Sequence, residues 1–140
     1  MRLVLRITAA LAIGLLAGWL WGHSGRGGVA RALETAELRG ELFGARAAVL
    51  DARVAIYNVN FGEASRHLEG ARGLLGRADE RLKRLSRDDD VKHVEAALAQ
   101  IGDAQRQAGK LDQGANSRAG DAAKIVADVL DGFTTTVASR

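Results

Sequence analysis

Apolar residues form one continuous stretch early in the chain and recur periodically in the rest. Residues 3–22 are almost uniformly apolar. A helix of about 20 such residues rises about 30 Å, enough to cross the hydrocarbon core of a bilayer. Arg6 lies near one end of the stretch, and Trp19 and Trp21 lie at the other, as is typical of side chains at membrane interfaces. We predict a transmembrane anchor over residues 1–22, with a cleaved signal peptide as the alternative.

Small residues recur every fourth position within the predicted anchor. This ridge consists of Ala10, Gly14, Gly18 and Gly22. Small residues at this spacing let two transmembrane backbones approach closely, so the ridge is a candidate face for self-association. Four glycines then fall within residues 22–28. We expect residues 23–28 to form a flexible linker between the anchor and the body.

The first part of the body, from about residue 29 to residue 58, has apolar residues at a helical period. They fall on three seven-residue rows: Leu33, Ala47 and Val54; Ala36, Phe43, Leu50 and Tyr57; and Leu42, Val49 and Ile56. Three rows exceed what a two-helix seam would bury, so the pattern favours a bundle. Arg39, Arg46 and Arg53 also recur at seven, and we interpret them as a solvated charged edge.

Two further helical segments follow, separated by turn-prone residues. The second helix is expected from about residue 63 to residue 86, and its seam consists of Ala64, Leu68, Ala71, Leu75, Ala78, Leu82 and Leu85. Three aspartates at residues 88–90 mark the next turn and can cap the helix after it. Apolar spacing of three and four then continues to Phe133, and the apolar positions include Leu111. This spacing predicts one long helix, with a break at residues 112–120 as the alternative.

These segments together predict an all-α fold. The N-terminal transmembrane helix is followed by an antiparallel bundle of three long helices, or of four if the last one breaks. The bundle spans residues 29–133, and residues 134–140 form a frayed tail.

A short part of the chain resembles the tetratricopeptide repeat, a helical hairpin that binds proteins. The run from Asn60 to Ala64, followed by Leu68 and Ala71, looks like the turn of that repeat and the start of its second helix. The resemblance covers about residues 42–76, without the terminal proline of the repeat and without a convincing second copy. It implies a helical hairpin and partner binding.

Composition and charge narrow the function further. The chain has 140 residues, no cysteine and no proline. Leaving Arg2 and Arg6 out of its 20 basic residues gives 18 against 17 acidic ones. A body so nearly neutral is not expected to bind nucleic acid. The basic residues of the second helix spread around its solvent side, and we interpret them as surface solvation.

The residues that could carry chemistry are scattered. His23, His67 and His93 share no metal-ligand spacing, and the acidic run at residues 88–90 lacks the spread of ligands that an EF-hand loop needs. No phosphate-binding glycine loop and no nucleophile elbow occur in the sequence. We therefore predict no catalytic, cofactor or metal site.

The sequence thus favours a single-pass membrane protein that acts through protein contacts, as a scaffold or adaptor at the cell envelope. Its expected partners are membrane lipid, an unidentified protein and further copies of itself. Positive charges on the two sides of the anchor are nearly balanced, and the short N-terminal tail favours a body outside the cytoplasm. The alternative is a secreted helical binding module, released by signal cleavage.

Overall fold

The described part of the protein is all-α. The computed structural model describes the backbone of residues 2–138 and the side chains of residues 28–133. Its four helices are α1 (Arg2–Tyr57), α2 (Phe61–Arg84), α3 (Asp88–Ala108) and α4 (Ala115–Ala138), and the described backbone contains no strand. The chain divides into two compact units, Met1–Ala36 and Glu37–Arg140. The all-α prediction is confirmed.

The last predicted helix is two helices, so the prediction of one continuous helix was wrong and the four-helix alternative is confirmed. A turn at residues 109–114 separates α3 from α4. Leu111 has a φ of 58° there, and Asp112 Oδ1 accepts a hydrogen bond of 2.8 Å from the backbone N–H of Gly114. Ala108 and Ala115, on either side, are seven positions apart and both buried. The apolar period therefore continues in phase across the turn, and spacing alone does not reveal the break.

The unit Glu37–Arg140 is an antiparallel bundle of the end of α1 with α2, α3 and α4. Side-chain contacts join neighbouring helices along their lengths: Arg81 of α2 donates to Glu41 of α1 at 3.0 Å, Gln105 of α3 donates to Glu69 of α2 at 2.9 Å, and Arg53 of α1 donates to Asn116 of α4 at 2.9 Å. Short turns place successive helices side by side in opposite directions. The contact between α1 and α4 closes the bundle.

Small side chains dominate the core. Thirteen of the 28 buried hydrophobic residues in the described part are alanine, so the helices pack closely and bury little apolar area per residue. The predicted seam of α2 is confirmed from Ala64 to Leu82, and Leu85 packs partly buried against the same cluster. A Cβ on Gly44 of α1 would lie 3.3 Å from Leu74 Cδ1, a second sign of close approach between α1 and α2.

The buried face of α1 is narrower than the sequence predicted. Of the three predicted rows, only the one with Leu42, Val49 and Ile56 is buried. The face also contains a second row, and the two rows together are Leu38, Leu42, Ala45, Val49, Ala52 and Ile56; Ala55 beside them is buried as well. The other two predicted rows are largely exposed, and the expectation that they lie in the core was wrong. Leu111, which the spacing predicted on the apolar face of the last helix, is also mostly exposed, at 70%.

Each turn between helices contains a non-glycine residue in the left-handed region. Val59, Ser86 and Leu111 have φ of 58°, 54° and 58°. In each turn the following N–H bonds a carbonyl five residues earlier, which caps the preceding helix; for example, the N–H of Asn60 donates to the carbonyl of Ala55 at 2.8 Å. Asn60 then caps α2, because its side chain accepts from the N–H of Glu63 at 3.2 Å.

Replacing Val59 with glycine is expected to stabilise the bundle by about 1 kcal/mol. The left-handed region costs an L residue about 1–2 kcal/mol, and glycine is free of that cost but loses more backbone entropy on folding. Val59 is 66% exposed, so little packing is lost. Chemical denaturation followed by circular dichroism measures the change. Val59→Ala is the control, because alanine keeps a Cβ in the strained region. An equal gain from both variants would contradict the role of φ.

The unit Met1–Ala36 contains the first part of α1. Val29 and Leu33 are exposed there, and Thr35 Oγ1 donates to the carbonyl of Arg31 at 2.9 Å. No helix segment with described side chains is long and apolar enough to span a bilayer. The predicted anchor at residues 1–22 and residues 23–27 of the predicted linker are not among the residues whose side chains the structure describes.

Candidate interaction surface

The largest set of exposed apolar side chains in the bundle forms one row on α1. We call it the outer seam, and its members are Phe43, Ala47, Leu50, Val54 and Tyr57. Phe43 is 58% exposed, Val54 61% and Tyr57 79%. Leu50 is half-buried, because it also packs against the edge of the core. Solvent-exposed aromatic and aliphatic side chains in one continuous row mark an interaction surface more often than singly scattered ones do.

The outer seam and the core face occupy opposite sides of α1. At about 100° per residue, the mean directions of the outer seam and the core face differ by about 140°. Both rows have alternating spacings of four and three, so each has the form of a helix-packing seam. One seam holds α1 in the bundle. The other lies on the outer side of α1, where Leu50 still reaches the edge of the core.

Arginines line the edge of the outer seam that is next to α4. Arg39 donates to the carbonyl of Phe133 at 2.8 Å, and Arg53 donates to Asn116 at 2.9 Å. Arg46 lies between them and differs from both, because its Nε is buried and has no hydrogen-bond partner. The predicted charged edge is therefore present, but two of its three members are fixed against α4.

Acidic side chains line the other edge, next to α2. Glu37 contacts Arg81 at 2.6 Å, whereas Asp51 is exposed. Asp51, Val54 and His67 line a shallow groove on this side. A second groove on the α4 side is lined by Val54, Tyr57 and Arg53, among others. The outer seam is thus an apolar ridge with a basic edge, an acidic edge and a shallow depression on each side.

The histidines with described side chains make only local contacts. His67 Nε2 lies 3.3 Å from Glu63 Oε1, one helical turn away. His93 Nδ1 lies 2.8 Å from the carbonyl oxygen of Asp89. Within the described side chains, no three histidine, aspartate or glutamate residues are grouped as metal ligands.

The aspartates at residues 88–90 occupy the first turn of α3. They do not cap it as expected, since the N-cap is Arg87, which makes no side-chain capping bond. Carboxylates in a first turn are stabilised by the partial positive charge of the helix N-terminus. The hydrogen bond from Lys92 to Asp89 lowers the pKa of that carboxyl and raises the pKa of Lys92. The cluster therefore has a structural explanation.

Most basic residues of α2 and the turn after it are held in ion pairs. Arg77 and Arg81 both contact Glu41, and Lys83 contacts Asp79 at 2.7 Å. The hydrogen bond to Asp79 raises the pKa of Lys83. These pairs bind the bundle together, and they compete with any external anion for the same cations.

Several predicted site residues are not among those whose side chains the structure describes. These are the ridge of Ala10, Gly14, Gly18 and Gly22 and the interfacial Arg6, Trp19 and Trp21. The outer seam was present in the sequence as two of the three periodic rows, but it was assigned to the core. Comparison with protein families, curated proteins and solved structures found no match to this chain.

Proposed function

We propose that this chain is a single-pass membrane protein that acts through protein–protein contacts at the cell envelope, as a scaffold or adaptor without catalysis of its own. The observation that carries the proposal is the outer seam, where Phe43, Val54 and Tyr57 remain exposed. Apolar surface costs free energy in water, and a partner that covers it recovers that free energy. The core face of α1 already holds the bundle together, so the outer seam is available for contact.

The location belongs to the same proposal. Residues 3–22 have the length and apolarity of a membrane span, and the ridge of small residues within them suits helix association in lipid. The body then lies outside the cytoplasm. The helical hairpin of α1 and α2, which resembles a tetratricopeptide repeat, supports a binding role.

The test uses the full chain in membranes. We expect the protein to stay in the membrane pellet after an alkaline carbonate wash, with an intact N-terminus by sequencing. After solubilisation in mild detergent, it should migrate on a native gel well above its monomer mass of 14.8 kDa. Ala47→Glu should reduce that complex to monomer, because a charge in the outer seam would lose its hydration on contact.

Ala96→Glu is the matched control. Ala96 is an exposed helical alanine like Ala47, but it lies on α3. The control should leave the complex unchanged. A carbonate-extractable protein would contradict the anchor, and a truncated N-terminus would favour secretion. A complex that is equally insensitive to both substitutions would contradict the role of the outer seam.

A further inference from the structure

We infer that the outer seam binds the same seam of a second copy of this chain, as a parallel two-stranded coiled coil. The inference rests on the proposed function, because it identifies the occupant of the surface proposed above. It commits to one partner and one orientation. Both follow from the spacing of the seam and from the charges along its two edges.

The spacing of the outer seam is that of a coiled coil. Its five members follow one another at intervals of four, three, four and three residues, which are the a and d positions of a heptad repeat. Leu50 and Tyr57 occupy d positions, and Val54 occupies an a position. In the sequence the same spacing continues backward through Gly40, Ala36, Leu33 and Val29. A series of nine consecutive a and d positions is longer than we expect of a chance apolar patch on a bundle helix.

The charges along the edges select the orientation. The g positions of this heptad are the arginines at residues 39, 46 and 53, and the e positions include Glu37 and Asp51. In a parallel pair each g residue faces the e residue that lies five positions later on the partner helix. Arg46 then faces Asp51 of the second copy, twice by symmetry. An antiparallel pair would instead place arginine against arginine.

The structure leaves this particular pair available. Arg46 has a buried Nε without a hydrogen-bond acceptor, unlike Arg39 and Arg53, which both bond to α4. Asp51 is exposed, and within the described side chains it forms no ion pair. The two edge residues without partners inside the bundle are the two that a parallel dimer joins.

The geometry of the bundle permits this dimer. The outer seam lies about 140° from the core face, on the outer side of α1, so a second α1 can approach it from solvent. The small residues Ala47, Ala36 and Gly40 lower the apolar area of the seam, and the dimer should therefore be modest in strength. Two copies anchored by their N-terminal segments in one bilayer would have the required parallel orientation and a raised effective concentration.

Disulfide trapping tests the orientation directly, because the chain has no cysteine of its own. Phe43→Cys and Tyr57→Cys should each form a disulfide-linked homodimer under mild oxidation of the full chain in detergent or liposomes. In a parallel coiled coil, equivalent d positions lie within the Cα separation that a disulfide needs, about 4.4–6.8 Å. Gly70→Cys is the control, since Gly70 is exposed on α2 with open space around it, and it should form no disulfide-linked dimer.

Charge exchange tests the predicted pair. Arg46→Glu and Asp51→Arg should each weaken self-association about tenfold in analytical ultracentrifugation, because each replaces two attractive contacts with two repulsive ones. The double variant should restore it. Arg118→Glu, an exposed charge reversal on α4, should have no effect. Circular dichroism checks the folding of Arg46→Glu, and Asp51→Arg tests the same ion pair at an exposed position.

Several outcomes would overturn the inference. Cross-linking of Phe43→Cys only in a mixture with a Val54→Cys protein would indicate an antiparallel dimer, in which a and d positions face each other. Absence of self-linking at positions 43 and 57, together with a native complex that Ala47→Glu still dissolves, would indicate a different protein as the occupant; the proposed function would then stand without this inference. If Ala47→Glu leaves the complex intact, the proposed function fails as well.

Discussion

Replacing Phe133 with alanine is expected to lower the free energy of unfolding by about 3–5 kcal/mol. Phe133 is 5% exposed and is the last residue of α4 whose side chain is described. The guanidinium carbon of Arg87 lies 3.7 Å from the centre of its ring, and that of Arg39 lies 5.7 Å away. The substitution would remove the core packing of the ring and both of these cation–π contacts. It should therefore loosen the end of the bundle where α1, α3 and α4 meet.

Phe43 provides a matched control. It is a phenylalanine at a helical position too, but it is 58% exposed. Phe43→Ala should change the free energy of unfolding by less than about 0.5 kcal/mol when self-association is prevented by Ala47→Glu in the same chain. Phe133→Leu should cost less than Phe133→Ala, and the difference separates the apolar volume from the cation–π contacts. Equal costs at the two phenylalanines would contradict the assigned position of Phe133.

Replacing Leu75 with alanine is expected to destabilise the bundle by about 2–5 kcal/mol. Leu75 is completely buried in the middle of α2, within the main core cluster. Its neighbours on the same seam, Ala71 and Ala78, have no flexible side chain that could move into the space. The cavity would therefore stay open, which places the cost toward the upper part of that range.

The measurement is chemical denaturation of the full chain, followed by its helical circular dichroism. Leu111→Ala is the control, because Leu111 is 70% exposed and its substitution should cost less than about 0.5 kcal/mol. Leu and Ala also have similar difficulty with the positive φ at that position, so backbone strain does not confuse the comparison. A loss at Leu75 as small as that at Leu111 would show that α2 does not pack as described.

The outer seam shows that periodicity identifies the packing faces of a helix but not which of them is buried. Spacing alone identified the rows that contain Phe43, Leu50 and Val54, and it identified the row that contains Leu42 and Val49. All of these rows repeat at seven, so all of them qualify as packing faces. Which row α1 turns toward the bundle depends on where α2, α3 and α4 lie. No pattern within α1 itself contains that information.

The edges of the seam show the same limit at the level of single residues. Arg39, Arg46 and Arg53 are equivalent in the sequence, one heptad apart. Their difference arises from α4, which offers the carbonyl of Phe133 to Arg39 and the amide of Asn116 to Arg53. Arg46 has no such acceptor. Arg46, the residue that says most about a partner, therefore could not be distinguished from Arg39 and Arg53 in the sequence.

The sequence by itself determined the all-α class, the buried seam of α2 and the turn before it, because those depend on local periodicity and on turn chemistry at residues 58–62. Tertiary structure decided that α3 and α4 are separate and which side of α1 is buried. The physical reason is that a seven-residue repeat keeps its phase through a turn and around a helix, and a burial pattern acquires a direction only when other helices occupy one side of it.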